Sequence, residues 1–181
     1  MLAKDSLKAS LNGVERALLL SSANDRMVET QCTFIDACKE AGVDHVIKFS
    51  GEEAQLGYDS QKFRFTREHE QIEDYLESSG MKWTHLRPSQ FMQVYLREAP
   101  DIGRTGELRL PLDAIRISPV DLRDVAGVAA ALLVEGGHTG TSLVLLVPKR
   151  SLCPILQLSS LTSQGKRSVM YRLGGRKAKR H

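Results

Sequence analysis

Residues 17–51 read ALLLSSANDRMVETQCTFIDACKEAGVDHVIKFSG, and their patterning decides the fold. The run ALLLS at 17–21 is short, apolar and stopped by Ser-Ser-Ala-Asn-Asp, which predicts a strand buried on both faces. Asp25 then stands where a helix cap is wanted. The spacing predicts a helix to about Ala41, with Val28, Cys32, Ile35 and Cys38 on one stripe. Gly42 is suited to end that helix. The run HVIKF at 45–49 predicts a second strand, closing on Ser50 and Gly51.

The alternation continues outward. Residues 52–60 are polar and read as a loop, and residues 61–79 predict a long charged helix stopped by Gly80. Its inner face reads as Phe65, His69, Ile72 and Leu76. Residues 81–86, MKWTHL, predict a third strand closed by Arg87 and Pro88. Glycine and proline loosen the pattern from 89 to 119, leaving a helical turn at 91–96 and extended pieces at 107–110 and 115–118. A helix from about 121 to 134 follows, with Asp121 and Asp124 at its positive end, and then a fourth strand at 142–147.

Strands alternating with helices of this length imply right-handed crossovers and a parallel sheet with flanking helices, an α/β fold. In such sheets ligands bind beyond the carboxyl ends of the strands. That rule selects three places: Ser21 with Ser22, Ser50 with Gly51, and the run Arg87, Pro88, Ser89 and Gln90. Ser, Gly and Pro are also ordinary turn formers. The coincidence of three such places is what points to a site.

Composition bounds the function classes. The 181 residues are 41% hydrophobic and 26% charged, as in an ordinary globular domain. No apolar run approaches the roughly 18–20 residues of a membrane helix, and MLAKDSLKASLNG has no apolar core of a secretory signal. Cys32, Cys38 and Cys153 form no Cys-x-x-Cys pair, so neither a disulfide framework nor a metal site is expected, and a reducing cytoplasm fits. The net charge of +3 conceals an asymmetry: residues 151–181 hold seven basic residues and no acid, while residues 1–150 hold 18 basic and 22 acidic. The acidic body is a poor nucleic-acid surface. Residues 1–148 are expected to form the domain and 149–181 a basic tail, disordered and unrelated to it. Electrostatic binding of nucleic acid or membrane is the tail's rival reading, but it lacks a basic amphipathic stripe.

Three segments in order carry a resemblance: FIDACKEAGV and HVIKFSG at 34–51, IEDYLESSG and WTHLRPSQFM at 72–92, and VDLRDVA at 120–126. Together they resemble the NmrA-like branch of the atypical short-chain dehydrogenase/reductases, over about residues 11–148. The resemblance implies a Rossmann-type sheet binding NAD or NADP. It implies either hydride transfer from the nicotinamide to a small organic acceptor or a non-catalytic protein that senses the cofactor. Family members begin with a strand, a Gly-rich turn and a helix that holds the pyrophosphate. No G-x-G-x-x-G precedes Ala17, so the sheet is expected to be incomplete, lacking the family's N-terminal part, and cofactor binding and turnover impaired. Leu18, Leu19 and Leu20 would then lose cover worth about 5–9 kcal/mol. The open edge is expected to take a protein partner or a second copy of the chain.

The resemblance also places the usual tyrosine and lysine, four residues apart, at Phe65 and His69. Phenylalanine has no exchangeable proton. His69 and Glu73 share a helix face, and a carboxylate beside imidazole raises its pKa. A charged His69 would take the lysine's place at the ribose or give a proton to substrate. The competing reading is a surface pair worth about 0.3–0.5 kcal/mol. On the resemblance, His69 is the catalytic residue, and Ser21, Ser22, Ser50, Gly51, His69 and Pro88 face the cofactor. Phe91, Met92 and Tyr95 either line an apolar substrate pocket or pack in the core.

Overall fold

The computed structural model describes residues 4–51, 63–110, 118–146, 156–163 and 166–173. In chain order the elements are α1 (Lys4–Ser10), β1 (Arg16–Leu19), α2 (Met27–Ala41), β2 (His45–Phe49), α3 (Arg64–Ser78), β3 (Lys82–Pro88), a 3-10 helix (Met92–Glu98), α4 (Ala99–Thr105), β4 (Glu107–Leu110), α5 (Leu122–Glu135), β5 (Thr141–Leu145), β6 (Leu156–Ser163) and β7 (Lys166–Leu173). They fall into two compact units, one within residues 1–89 and 123–145 and the other within 90–122 and 146–181.

The first unit carries the expected α/β architecture. Four strands pair in the order β1-β2-β3-β5, all parallel. Leu19 lies opposite Lys48, and Lys48 opposite His85. Because side chains alternate along a strand, Ala17, Leu19, Val46, Lys48, Trp83, His85 and Arg87 share one face. Ile35 and Cys38 of α2 and Ile72 and Leu76 of α3 pack there against Ala17, Leu19 and Val46. Arg16 points to the opposite face, where its Nη1 donates to the carbonyls of Leu133 and Val134 at the end of α5, 3.1 Å each.

Several local expectations are corrected. Among the described residues β1 pairs on one side only, and Leu18 is half-buried and Leu20 61% exposed, not covered on both faces. Asp25 does not cap α2; Asn24 Oδ1 accepts from the Arg26 amide at 2.9 Å, and Asp25 pairs with Arg64 instead. The buried stripe of α2 runs through Met27, Gln31, Ile35 and Cys38, one position earlier than expected at its start, leaving Val28 and Cys32 half-buried. Gly42 does end the helix, at φ +76°, and the Val43 amide reaches the Cys38 carbonyl. On α3 the inner stripe is Thr66, Ile72, Glu73 and Leu76, while Phe65 is 49% exposed. Thr66, Glu73 and Leu76 follow the seven- and three-residue spacing of a single helix face, and Phe65 lies about 100° off it.

In the second unit Phe91 bridges Val120, and the Gln93 amide holds the start of α5. Its Nε2 donates to Asp121 Oδ1 at 2.9 Å, and its Oε1 accepts the Leu122 amide at 3.1 Å. α4 interrupts a stretch expected to be irregular; its proline sits in the first turn, where no amide is needed, and Gly106 ends it. β4 pairs with β7, and β7 with β6, in an antiparallel sheet. β6 and β7 lie within the tail expected to be disordered. The expected loop at 52–60 and most of the extended piece at 115–118 lie outside the described residues. No described helix is long and apolar enough to cross a membrane.

Candidate nucleotide site at the strand tips

The carboxyl end of β1 opens into a cleft of about 330 Å³ lined by Leu18–Leu20, Ser21, Ser22, Asn24, Thr30, Gln31 and Phe34. Ser21 Oγ accepts from Gln31 Nε2 at 2.9 Å. Gln31 is 1% exposed, and its Oε1 has no hydrogen-bond partner among the described residues. A buried acceptor left unpaired costs about 1–3 kcal/mol, so a donor on a ligand in this cleft would recover that loss. Ser22 is exposed at the mouth of the turn.

The tips of β2 and β3 lie beside it in the same sheet. Ser50 and Gly51 are buried, and the Ser50 amide extends the ladder to Leu86 O at 2.8 Å. Pro88 is the buried last residue of β3, and the Ser89 amide donates to Leu145 O at 2.8 Å. The Ser50 hydroxyl helps keep Glu73 ionised, yet among the described residues it forms no hydrogen bond of ordinary geometry.

Under these tips, between β2, β3 and α3, lies a buried polar cluster. Lys48 is fully buried, its Nζ donating to Phe49 O at 2.6 Å and lying 2.9 Å from His69 Nδ1. Burial pushes the Lys48 ammonium down to about 8, with Arg87 adding to the effect and Glu73 opposing it. Glu73 forms a two-pronged pair with Arg87, Nε to Oε1 at 3.1 Å and Nη2 to Oε2 at 2.5 Å. Burial alone would raise the Glu73 carboxyl, but Arg87, Ser50 and His85 outweigh it and hold it below its ordinary value. His85 Nε2 donates to Glu77 Oε1 across 3.0 Å, and the ring stacks on Trp83 at 4.3 Å between ring centres.

This geometry overturns the expected charge on His69. Burial and the neighbouring Lys48 ammonium push its imidazole down to about 4, against a smaller upward pull from Glu73. Glu73 is engaged by Arg87, so the anticipated His69–Glu73 couple gives way to Lys48–His69 and Glu73–Arg87. His69 is neutral near neutrality.

A profile of the NAD(P)H-binding family matches residues 1–135. The chain belongs to that family. It is 31% identical over 166 residues to an NAD(P)H azoreductase of Xenophilus azovorans, covering 92% of this chain and 57% of that protein. It is 30% identical over 168 residues to quinone oxidoreductase 2 of Escherichia coli, again covering 92% and 57%. Among solved structures, the Escherichia coli NADPH-dependent quinone oxidoreductase complexed with NADPH superposes at a TM-score of 0.65 and 26% identity, over 79% of this chain and 50% of that one. The Citrobacter triphenylmethane reductase complexed with NADP(H) shares the fold at a TM-score of 0.66 and 17% identity, over 81% and 51%. The chain thus spans about half the length of the relatives it matches.

For this NAD(P)H-binding family member, the fit to a dinucleotide is local. The unpaired Gln31 carbonyl beside Ser21 suits a hydroxyl or amide donor of a nucleoside or carboxamide. The turn from β1 into α2 contains no glycine, so it is no Gly-rich diphosphate cradle. The strand tips bring Ser21, Ser22, Ser50, Gly51 and Pro88 to one end of one sheet, and His69 reaches the same sheet through Lys48. Phe91, Met92 and Tyr95 fall in the second unit. There Met92 is exposed, Phe91 and Tyr95 are half-buried, and Tyr95 Oη donates to Gln90 Oε1 at 2.9 Å.

Two residues escaped the sequence reading. Lys48 sits inside an apolar strand run, and Gln31 sits on the buried stripe of α2, four residues from both Met27 and Ile35. A lone polar residue in an otherwise apolar position was the signal in each case.

Proposed function

We propose that this chain forms the nicotinamide side of an NAD(P)H-dependent oxidoreductase of the NmrA-like type, reducing a small organic acceptor such as a quinone or an azo dye. One observation carries the reading. In a member of the NAD(P)H-binding family, small polar residues occupy the carboxyl ends of three neighbouring parallel strands, where such sheets bind their ligands. When bound, the nicotinamide supplies a hydride to the acceptor. In this reading Ser21, Ser22 and Gln31 bind the ribose or carboxamide, Ser50, Gly51 and Pro88 wall the pocket, and His69 donates a hydrogen bond from Nε2. NADPH is the first cofactor to test, since two solved relatives are complexed with NADPH or NADP(H). Binding is expected to be weak because the sequence holds no Gly-rich diphosphate turn. A cytoplasmic setting belongs to the reading, consistent with free thiols at Cys32 and Cys38.

A second reading, a non-catalytic sensor of the cofactor, has its own support. Phe65 has no proton to give, and His69 is unprotonated near neutrality. NADPH oxidation followed with a quinone and with an azo dye separates the two. Acceptor-dependent oxidation supports the oxidoreductase. Saturable NADPH binding without oxidation supports the sensor, and neither result leaves both readings refuted.

A further inference from the structure

We propose that Lys48 is a positioning residue that fixes His69 as a neutral imidazole carrying its proton on Nε2, making His69 a hydrogen-bond donor to an acceptor oxygen rather than an acid. The inference rests on the oxidoreductase reading for its purpose but not for its geometry. Lys48 Nζ has two acceptors within reach, Phe49 O at 2.6 Å and His69 Nδ1 at 2.9 Å. An ammonium group can only donate, so Nδ1 must present its lone pair and the ring proton must sit on Nε2. The groups facing the ring set its charge. Lys48 approaches from β2, and Glu73 from its own helix is clamped by Arg87 of β3, so the carboxylate does little to protonate the imidazole. His69 is half-buried, and its Nδ1 is the ring atom that Lys48 engages.

A neutral imidazole N–H aimed at an oxygen that gains negative charge stabilises it without giving up a proton at neutral pH. The substrate class that suits this arrangement is an acceptor whose reduction places charge on oxygen, a quinone or other carbonyl compound. A hydrogen-bond donor of this kind needs no protonation step, so it works over a broad pH range.

The test is the ring nitrogen spectrum of the full chain labelled with nitrogen-15 histidine. The signals of His69 are assigned by comparison with His69→Gln. The expected wild-type spectrum shows one protonated nitrogen, Nε2, with no titration of the ring between pH 5 and pH 8, as its midpoint lies near 4. In Lys48→Met the ring loses its fixed tautomer, and its midpoint rises only in part, because burial, the larger cause, still holds it below the ordinary value. A wild-type ring protonated on Nδ1, a wild-type midpoint near 6.5, or an unchanged Lys48→Met spectrum overturns the proposal. If Lys48→Met fails to fold, the wild-type spectrum alone decides. The measurement needs no cofactor. A fixed tautomer in a chain that fails to bind NADPH would therefore refute the oxidoreductase reading and leave the Lys48–His69 assignment standing.

Discussion

Arg87 is the residue on which the buried charge of Glu73 depends. Their side chains are 12% and 5% exposed, so removing the guanidinium strands a carboxylate away from water. Arg87→Met is expected to cost about 3–5 kcal/mol, read as a lower urea midpoint; an unchanged midpoint would contradict the pairing. The acid side follows from His69, His45 and His85, all held below their ordinary value. Below pH 6.5 the unfolded chain takes up protons that the folded chain refuses until about 4 for His69, so stability falls as pH falls. His69 alone is expected to remove on the order of 2 kcal/mol between pH 7 and pH 5, checked by urea midpoints at the two values. Glu73, whose folded value is depressed, adds a loss only as pH drops below its ordinary 4.5. At this scale the sequence identified His69 and Glu73 as neighbours but assigned them the wrong partners. Sequence spacing along α3 is blind to Lys48 and Arg87, which reach these groups from strands 21 and 14 residues away.

Helix ends and strand tips were the most legible elements. Gly42 marked the end of α2 because only glycine accepts φ +76° without strain. Nothing lies within 4 Å of a Cβ built there, so Gly42→Ala isolates that backbone cost. The loss is expected to be about 1–2 kcal/mol in urea denaturation, and no loss would refute the left-handed cap. The start of the same helix was less legible: its N-cap position is Arg26, with no side-chain cap bond, while Asn24 Oδ1 accepts the Arg26 amide in the preceding turn and Asp25 pairs with Arg64. The three strand tips were readable because parallel order follows from the alternation of elements, and the structure pairs β1, β2 and β3 in register. α1 and α4 were not foreseen: α1 lies in a short polar stretch, and α4 contains both Pro100 and Gly103, residues that ordinarily break helices.

On the scale of the whole molecule, β1 pairs on one side only among the described residues, with Leu20 exposed beside the cleft. We propose self-association through this edge, since unpaired amides and an apolar flank invite another strand. Leu20→Lys is expected to shift the full chain toward monomer in size-exclusion chromatography, and an unaltered elution profile would argue against the edge. Where a cofactor sits is read directly from the amide proton–nitrogen spectrum of the full chain titrated with NADPH. Saturable shifts are expected at Ser21, Ser22, Ser50, Gly51 and Ser89, at the carboxyl end of the sheet. No saturable shift, or shifts gathered at the opposite end around Glu15, Asp44 and Met81, would contradict that placement.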